Sequence, residues 1–269
     1  MQTYVVTGSA SGIGAATKAR LEADGHRVIG IDRHHADITA DLGTRTGRRA
    51  AVAAVRERAG DAIDGVAAVA GLSPSSDRPP SLMVSVNYFG AIELLEGLRP
   101  LLAAAHHPAA VLISSNSTTC APPWLTEVAD ACLAGDEEHA CTVADSLDNP
   151  MGTTTYPATK AALAFYTRTR SADYITDGIR LNAVAPGVID TPMSRGSGDD
   201  PATAAATRKY IESIPAARAG QPEEVASVLA FLLGTDSAYM IGSVLFVDGG
   251  SDAAIRGTDW PAAREVQRS

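Results

Sequence analysis

The chain has 269 residues, of which 45% are hydrophobic and 20% charged, and this composition is typical of a folded globular protein rather than a disordered one. Its formal charge of −9 argues against nucleic acid or an anionic membrane as a partner, because both would repel it. A strand-like run begins within three residues of Met1, and no apolar run approaches the ~20 residues that span a bilayer, so we expect a cytoplasmic protein without a leader or membrane segment.

Short apolar runs alternate with helix-like segments along the chain. The predicted strands are Tyr4–Thr7, Val28–Ile31, Val66–Ala70, Ala109–Ser114, Arg180–Ala185 and Val244–Val247. The predicted helices cover residues 12–24, 45–59, 80–104, 156–177 and 222–234. This order predicts an α/β fold, a Rossmann-type doubly wound parallel sheet in a single domain over residues 1–257, followed by a polar tail over 258–269.

The first strand leads into a glycine-rich loop, Thr7-Gly8-Ser9-Ala10-Ser11-Gly12-Ile13-Gly14, and then into a helix. Glycines in that position allow a tight turn and let the backbone approach a pyrophosphate at the positive end of the helix dipole. Asp32 ends the second predicted strand, where a carboxylate would accept the ribose hydroxyls of a dinucleotide. Together these features predict a dinucleotide-binding site.

Tyr156 and Lys160 lie four residues apart at the start of a predicted helix, so their side chains share one face. A phenol with a pKa of about 10 is a poor acid or base at neutral pH, and a neighbouring ammonium is expected to lower that value. The pair therefore indicates general acid/base chemistry on an alcohol.

Cysteines and histidines show no such pattern. Cys120, Cys132 and Cys141 have no C-x-x-C spacing, and the six histidines are isolated or in adjacent pairs. We expect free thiols and no metal site.

Further motifs occur in the same order as in a known family. Asn87 lies in a predicted helix, Ser115 follows the fourth predicted strand, and Pro186-Gly187 and Val247-Asp248-Gly249-Gly250 close the pattern. With the glycine loop and the Tyr156/Lys160 pair, the chain resembles the short-chain dehydrogenase/reductase family from about residue 3 to residue 250. The resemblance implies hydride transfer between a nicotinamide and a secondary alcohol or ketone.

The resemblance also implies the catalytic roles. Tyr156 would exchange a proton with the substrate oxygen, and Ser115 would hydrogen-bond that oxygen. Lys160 would lower the pKa of the phenol and bind the nicotinamide ribose, and Asn87 would hold a water that connects Lys160 to solvent.

The cofactor implied is NAD, because Asp32 would repel the 2′-phosphate of NADP. Arg33 could pair with such a phosphate and leaves NADP use open. The residues implied to bind the cofactor are Gly8, Ser11, Gly12, Ile13, Gly14, Asp32, Arg33, Asp41, Leu42, Ala70, Gly71, Tyr156, Lys160, Pro186, Gly187, Ile189 and Thr191. One departure is Ala68-Val69-Ala70-Gly71, where relatives usually carry Asn-Asn-Ala-Gly, and it should affect stability rather than function.

Two segments have no counterpart in the strand–helix alternation. Residues 116–155 form an insertion before Tyr156, with an acidic, Ala-rich stretch that could form one or two helices, and we expect it to shape the substrate site or a subunit interface. The alternative is a surface excursion without a role. Residues 191–215 are Gly-rich and resemble the family's substrate lid.

Within the family, the motifs are most similar to bacterial 3α-hydroxysteroid dehydrogenase/carbonyl reductases, which implies an apolar alcohol or ketone as substrate. The alternatives are another apolar secondary alcohol such as a terpenoid, a non-catalytic dinucleotide sensor, and a sugar-nucleotide epimerase. An epimerase usually has a differently spaced glycine loop and a longer C-terminal domain. Family members self-associate, so we expect a homodimer or homotetramer, and the insertion favours the dimer.

Overall fold

The computed structural model of the protein describes residues 1–120, 123–146, 151–195 and 208–259. Its centre is a parallel sheet in the order β3-β2-β1-β4-β5-β6-β7. The strands are β1 Thr3–Thr7, β2 Arg27–Asp32, β3 Ile38–Thr39, β4 Gly65–Ala68, β5 Ala109–Ile113, β6 Arg180–Pro186 and β7 Val244–Val247. The Rossmann-type fold predicted from the alternation is confirmed. The two-residue strand β3 was not predicted, because so short an element has no periodicity of its own.

Helices cover both faces of the sheet. They are α1 Gly12–Ala23, α2 Arg45–Ala59, α3 Pro80–Met83, α4 Gly90–Ala103, α5 Ser117–Cys120, α6 Thr126–Ala134, α7 Glu137–Ser146, α8 Thr155–Thr176, α9 Pro192–Arg195, α10 Pro222–Leu233 and α11 Ser251–Arg256. Short 3₁₀ turns add Thr235–Ser237 and Gly257–Asp259. One buried apolar cluster joins the sheet to α2, α4, α6 and α8, and a second joins it to α1 and α10.

The predicted helix over residues 80–104 is not continuous. A π-helical segment, Val84–Phe89, lies between α3 and α4 and carries Asn87. Such wide turns occur often at functional sites. The spacing of apolar residues alone cannot reveal a π turn, because such a turn shifts the helical pattern by only one residue.

The acidic, Ala-rich stretch of the insertion, expected to form one or two helices, forms two, α6 and α7, and they belong to the core. α6 packs against α8, and α7 packs against α3 and the π-helical segment. Val128 and Cys132 of α6 and Ala140 and Ala144 of α7 are fully buried in the first apolar cluster. The alternative of a surface excursion without a role is therefore wrong for these two helices.

Several predictions fall partly outside the described residues. The tail over 258–269 is described only to Asp259, and the lid over 191–215 is described at residues 191–195 and 208–215. Within the described part of the chain, no helix is long and apolar enough to cross a bilayer.

Candidate active site

The glycine loop lies where the order of the strands reverses, between the carboxyl ends of β1 and β4. Parallel sheets bind ligands at this point, because the connections of the neighbouring strands leave on opposite faces. The hydroxyl oxygen of Thr7 accepts a hydrogen bond from the Ala70 N–H at 2.9 Å and so fixes the loop that follows β4 against β1.

Glycine is required at three positions of the loop. Gly8 and Gly12 have φ angles of +68° and +51°, a region that other residues rarely adopt. At Gly14 a Cβ atom would lie 2.1 Å from the Gly8 carbonyl oxygen. Ser11, the N-cap residue of α1, makes no side-chain capping hydrogen bond, so capping does not occupy the first amides of the helix. This cradle of bare backbone fits a pyrophosphate.

Asp32 is fixed beside this cradle. Its carboxylate accepts the Ala10 N–H at 3.0 Å and the Arg33 N–H at 2.6 Å, and a carboxylate with two bonds keeps lone pairs for hydroxyl donors. A cavity of about 300 Å³ opens here, a size suited to part of a dinucleotide. Its wall contains these predicted cofactor residues: Gly8, Ser11, Gly12, Ile13, Gly14, Asp32, Arg33, Asp41, Leu42, Ala70, Gly71 and Thr191.

A second cavity, of about 570 Å³, adjoins the first, and both are lined by Ile13, Gly71 and Thr191. The remaining predicted cofactor residues lie on its wall together with three predicted catalytic residues: Ser115, Tyr156, Lys160, Pro186, Gly187 and Ile189. The structure therefore brings the predicted dinucleotide and catalytic residues together along one continuous crevice.

Tyr156 and Lys160 lie in the first turns of α8. The ammonium nitrogen Nζ of Lys160 is 5.7 Å from the centre of the Tyr156 ring, and the Tyr156 phenol hydrogen-bonds the Ser115 side chain. Lys160 is only 4% exposed, and its Nζ donates to the Ile113 carbonyl oxygen at 2.9 Å. A phenol, a hydroxyl and a cation thus meet at the end of β5.

The pKa of Tyr156 differs from the sequence-based expectation. Burial raises the pKa of this phenol, and the hydrogen bond from Ser115 offsets that rise only in part. Burial also lowers the pKa of Lys160 to about 8. In the protein alone, desolvation is the largest influence on both groups, and no net lowering of the phenol pKa is found.

Asn87 lies behind the crevice. Its side-chain oxygen accepts the Leu72 N–H at 2.7 Å, and its amide nitrogen donates to the Leu72 carbonyl at 3.0 Å. A Cβ atom at Gly71 would lie 3.2 Å from the Asn87 Oδ1 and 3.5 Å from the Lys160 Nζ. The two polar groups therefore face the same glycine, and Asn87 also fixes the loop after β4.

Several residues of the larger cavity are not among those predicted from the sequence. Leu72, Pro74, Cys120, Met193 and Tyr210 line it. None belongs to a motif with a fixed spacing. Only their position after strand ends or within the predicted lid could have indicated them.

Two family models match the chain. Residues 140–252 match the enoyl-(acyl carrier protein) reductase model, and residues 4–189 match the model of the NAD dependent epimerase/dehydratase family. The 3-alpha-hydroxysteroid dehydrogenase/carbonyl reductase of Comamonas testosteroni is 38% identical over 97% of this chain and 100% of its own length. The chain belongs to the short-chain dehydrogenase/reductase family. It is also 34% identical to the cis-4-hydroxycyclohexanecarboxylate dehydrogenase of Sinomonas cyclohexanicum, over 93% of this chain and 96% of the relative.

A solved structure of a similar protein contains a bound cofactor. The 3-alpha-hydroxysteroid dehydrogenase of Pseudomonas sp. B-0831, complexed with NADH, superimposes with a TM-score of 0.90 at 42% identity, covering 95% of this chain and 99% of that one. The protein is an NAD(H)-dependent oxidoreductase that acts on CH–OH groups, as the motifs predicted. The glycine cradle and Asp32 of this chain fit that cofactor.

Proposed function

We propose that the protein interconverts 3α-hydroxysteroids and 3-ketosteroids with NAD(H), and that it reduces other carbonyl compounds more broadly. The observation that carries the proposal is the position of Ser115, Tyr156 and Lys160 on the wall of a cavity of about 570 Å³ that adjoins the dinucleotide cavity. Leu72, Pro74 and Met193 make much of that wall apolar, as a ligand with few polar groups requires. The names of the Comamonas and Pseudomonas relatives support the same substrate class.

In reduction, Tyr156 donates its phenolic proton to the substrate carbonyl oxygen, and in oxidation the phenolate takes that proton from the alcohol. Ser115 donates a hydrogen bond to the same oxygen and stabilises the charge that develops on it. Bound NAD(H) supplies or accepts the hydride. With NAD(H) bound, the Lys160 ammonium would favour the phenolate and bind the nicotinamide ribose, and Asn87 would hold the water through which Lys160 exchanges protons with solvent.

Cofactor binding is assigned to the residues predicted from the motifs. Gly8, Gly12 and Gly14 give the pyrophosphate its access to the backbone, and Asp32 accepts the ribose hydroxyls. Thr191, at the start of the proposed lid, lies over the loop, since a Cβ atom at Gly12 would be 3.1 Å from its Cγ2. Residues 191–215 would close over a bound substrate, and the domain would extend over residues 1–257.

Steady-state kinetics with NAD test the proposal directly. We expect turnover of a 3α-hydroxysteroid such as androsterone with a kcat/KM at least tenfold above that for small cyclic alcohols, since the larger substrate buries more apolar surface. The 3β-epimer of the same steroid is the matched control. If no 3-hydroxysteroid is oxidised, the substrate assignment is wrong while the NAD-dependent activity stands.

A second candidate is a different apolar cyclic secondary alcohol, such as a terpenoid alcohol. The Ser117 hydroxyl favours it, because this buried atom in the wall of the larger cavity has no hydrogen-bond partner among the described residues. A cyclic alcohol that carries a second polar group elsewhere on its ring would satisfy that hydroxyl. The cyclohexanecarboxylate named for the Sinomonas relative is a substrate of this kind.

A further inference from the structure

Arg48, on helix α2, is a charged residue that is buried almost completely, with 1% of its surface exposed. Its guanidinium donates to both oxygens of the Glu93 carboxylate, from Nε at 2.8 Å and from Nη2 at 3.3 Å. It donates to both oxygens of Glu137, from Nη2 at 2.6 Å and from Nη1 at 3.1 Å. A buried cation is stable only when it is paired and hydrogen-bonded in this way.

The same guanidinium also holds the wall of the dinucleotide cavity. Its Nη1 donates to the carbonyl oxygens of Leu42 and Ser85, each at 3.3 Å. Leu42 lines the cavity, and so does Val86, the neighbour of Ser85. Arg48 therefore ties together two segments of that wall from behind.

The charge that balances Arg48 comes from the insertion. Glu137 is the first residue of α7 and is 9% exposed, and it accepts a further hydrogen bond from the Arg45 Nε at 3.2 Å. Burial opposes its ionisation, but the hydrogen bonds from the side chains of Arg48, Ser85 and Arg45 hold its pKa below the usual value. The second partner of Arg48, Glu93, has a side chain 37% exposed, so Glu137 is the more buried of the two counterions.

We propose that Glu137 is a positioning residue for NAD(H), acting through Arg48 on the Leu42 carbonyl. The insertion, although it directly precedes Tyr156 in sequence, then acts on the adenosine end of the cofactor. Without the Glu137 charge, Glu93 is the carboxylate that remains to the guanidinium, and its side chain is 37% exposed. The guanidinium then shifts toward Glu93. The Leu42 carbonyl loses its donor, and the Asp41-Leu42 segment of the cavity wall loses its fixed position.

Direct binding of NADH to Glu137→Gln, measured by fluorescence titration, tests this inference. We expect the Kd for NADH and the Ki of AMP as a competitor of NAD to rise together by roughly 5- to 20-fold, the effect of one lost buried hydrogen bond. The kcat at saturating NAD should stay within about twofold, since the catalytic residues are untouched. Glu138→Gln, at the exposed neighbouring position, is the control and should bind NADH like the wild type.

An unchanged Kd for NADH together with a lower Tm would show that Glu137 is only structural, and the inference would be wrong. Because the single variant leaves a buried cation poorly paired, the double variant Arg48→Met/Glu137→Leu provides an independent measurement. An apolar pair often restores stability at such a site. We expect its Tm to recover while NADH binding stays weak; recovery of wild-type NADH affinity would refute the role of Arg48. Neither measurement depends on which alcohol the enzyme oxidises.

Discussion

The phenol of Tyr156 is subject to opposing influences on its pKa. Burial raises that pKa, while the hydrogen bond from Ser115 lowers it. The neighbouring Lys160 has a pKa of about 8, so it is mainly an ammonium at pH 7 and mainly neutral above pH 9. The rate of proton transfer should therefore depend on pH through both groups. The apparent pKa values in its pH profile belong to the coupled pair rather than to either residue alone.

Removing the phenolic hydroxyl tests its role. Tyr156→Phe keeps the ring and removes the proton that is transferred, so we expect kcat to fall by roughly 10²- to 10⁴-fold. The Kd for NADH should remain close to that of the wild type. Tyr239→Phe, at a tyrosine that is 99% exposed, is the control and should leave kcat unchanged. Turnover of Tyr156→Phe at the wild-type rate would remove the mechanism.

At the scale of elements, the larger cavity is built by segments that lie far apart in sequence. The loop after β4, helix α5 of the insertion and the described parts of the proposed lid each contribute to its wall. Tyr210, in the helical residues 208–213, is 38% exposed and faces this cavity from the lid. Tyr210 does not line the dinucleotide cavity.

Tyr210 should therefore affect substrate rather than cofactor binding. We expect Tyr210→Ala to raise the KM for the apolar substrate by about tenfold, because part of an aromatic contact surface is lost. The KM for NAD should not change. The same truncation at Tyr239 provides the control, and an equal rise of both KM values would contradict a specific role for Tyr210.

At the scale of the whole molecule, α6 and α7 cover the face formed by α8, α3 and the π-helical segment. A subunit interface on this face could use only the surface that α6 and α7 leave exposed. It would therefore bury less area than the same interface in a chain without the insertion. We therefore propose a homodimer rather than a homotetramer. Light scattering should give twice the mass of one chain, and the mass of a single chain would refute any oligomer.

The parts of the fold that the sequence predicts are those fixed by local chemistry. The glycine loop is predictable because Gly14 can carry no side chain, and the longer strands are predictable because burial on both faces demands continuous apolar runs. The contact between Arg48 and Glu137 is not predictable, since 89 residues separate two ordinary charged residues. The raised pKa of Tyr156 was also missed, because the degree of burial of a pair cannot be read from its spacing.

The Lys160 Nζ, which donates to the Ile113 carbonyl in the protein alone, should make NADH binding depend on pH. Lys160 has a pKa of about 8 in the protein alone, and a ribose that accepts hydrogen bonds from its ammonium would raise that value. From about pH 8 upward, binding of NADH should therefore take up protons, and affinity should fall as the pH rises. Titration calorimetry at pH 9, in two buffers that differ in ionisation enthalpy, would measure this uptake. Lys160→Met should abolish it, and heats that do not depend on the buffer would show that the lysine keeps its protonation state.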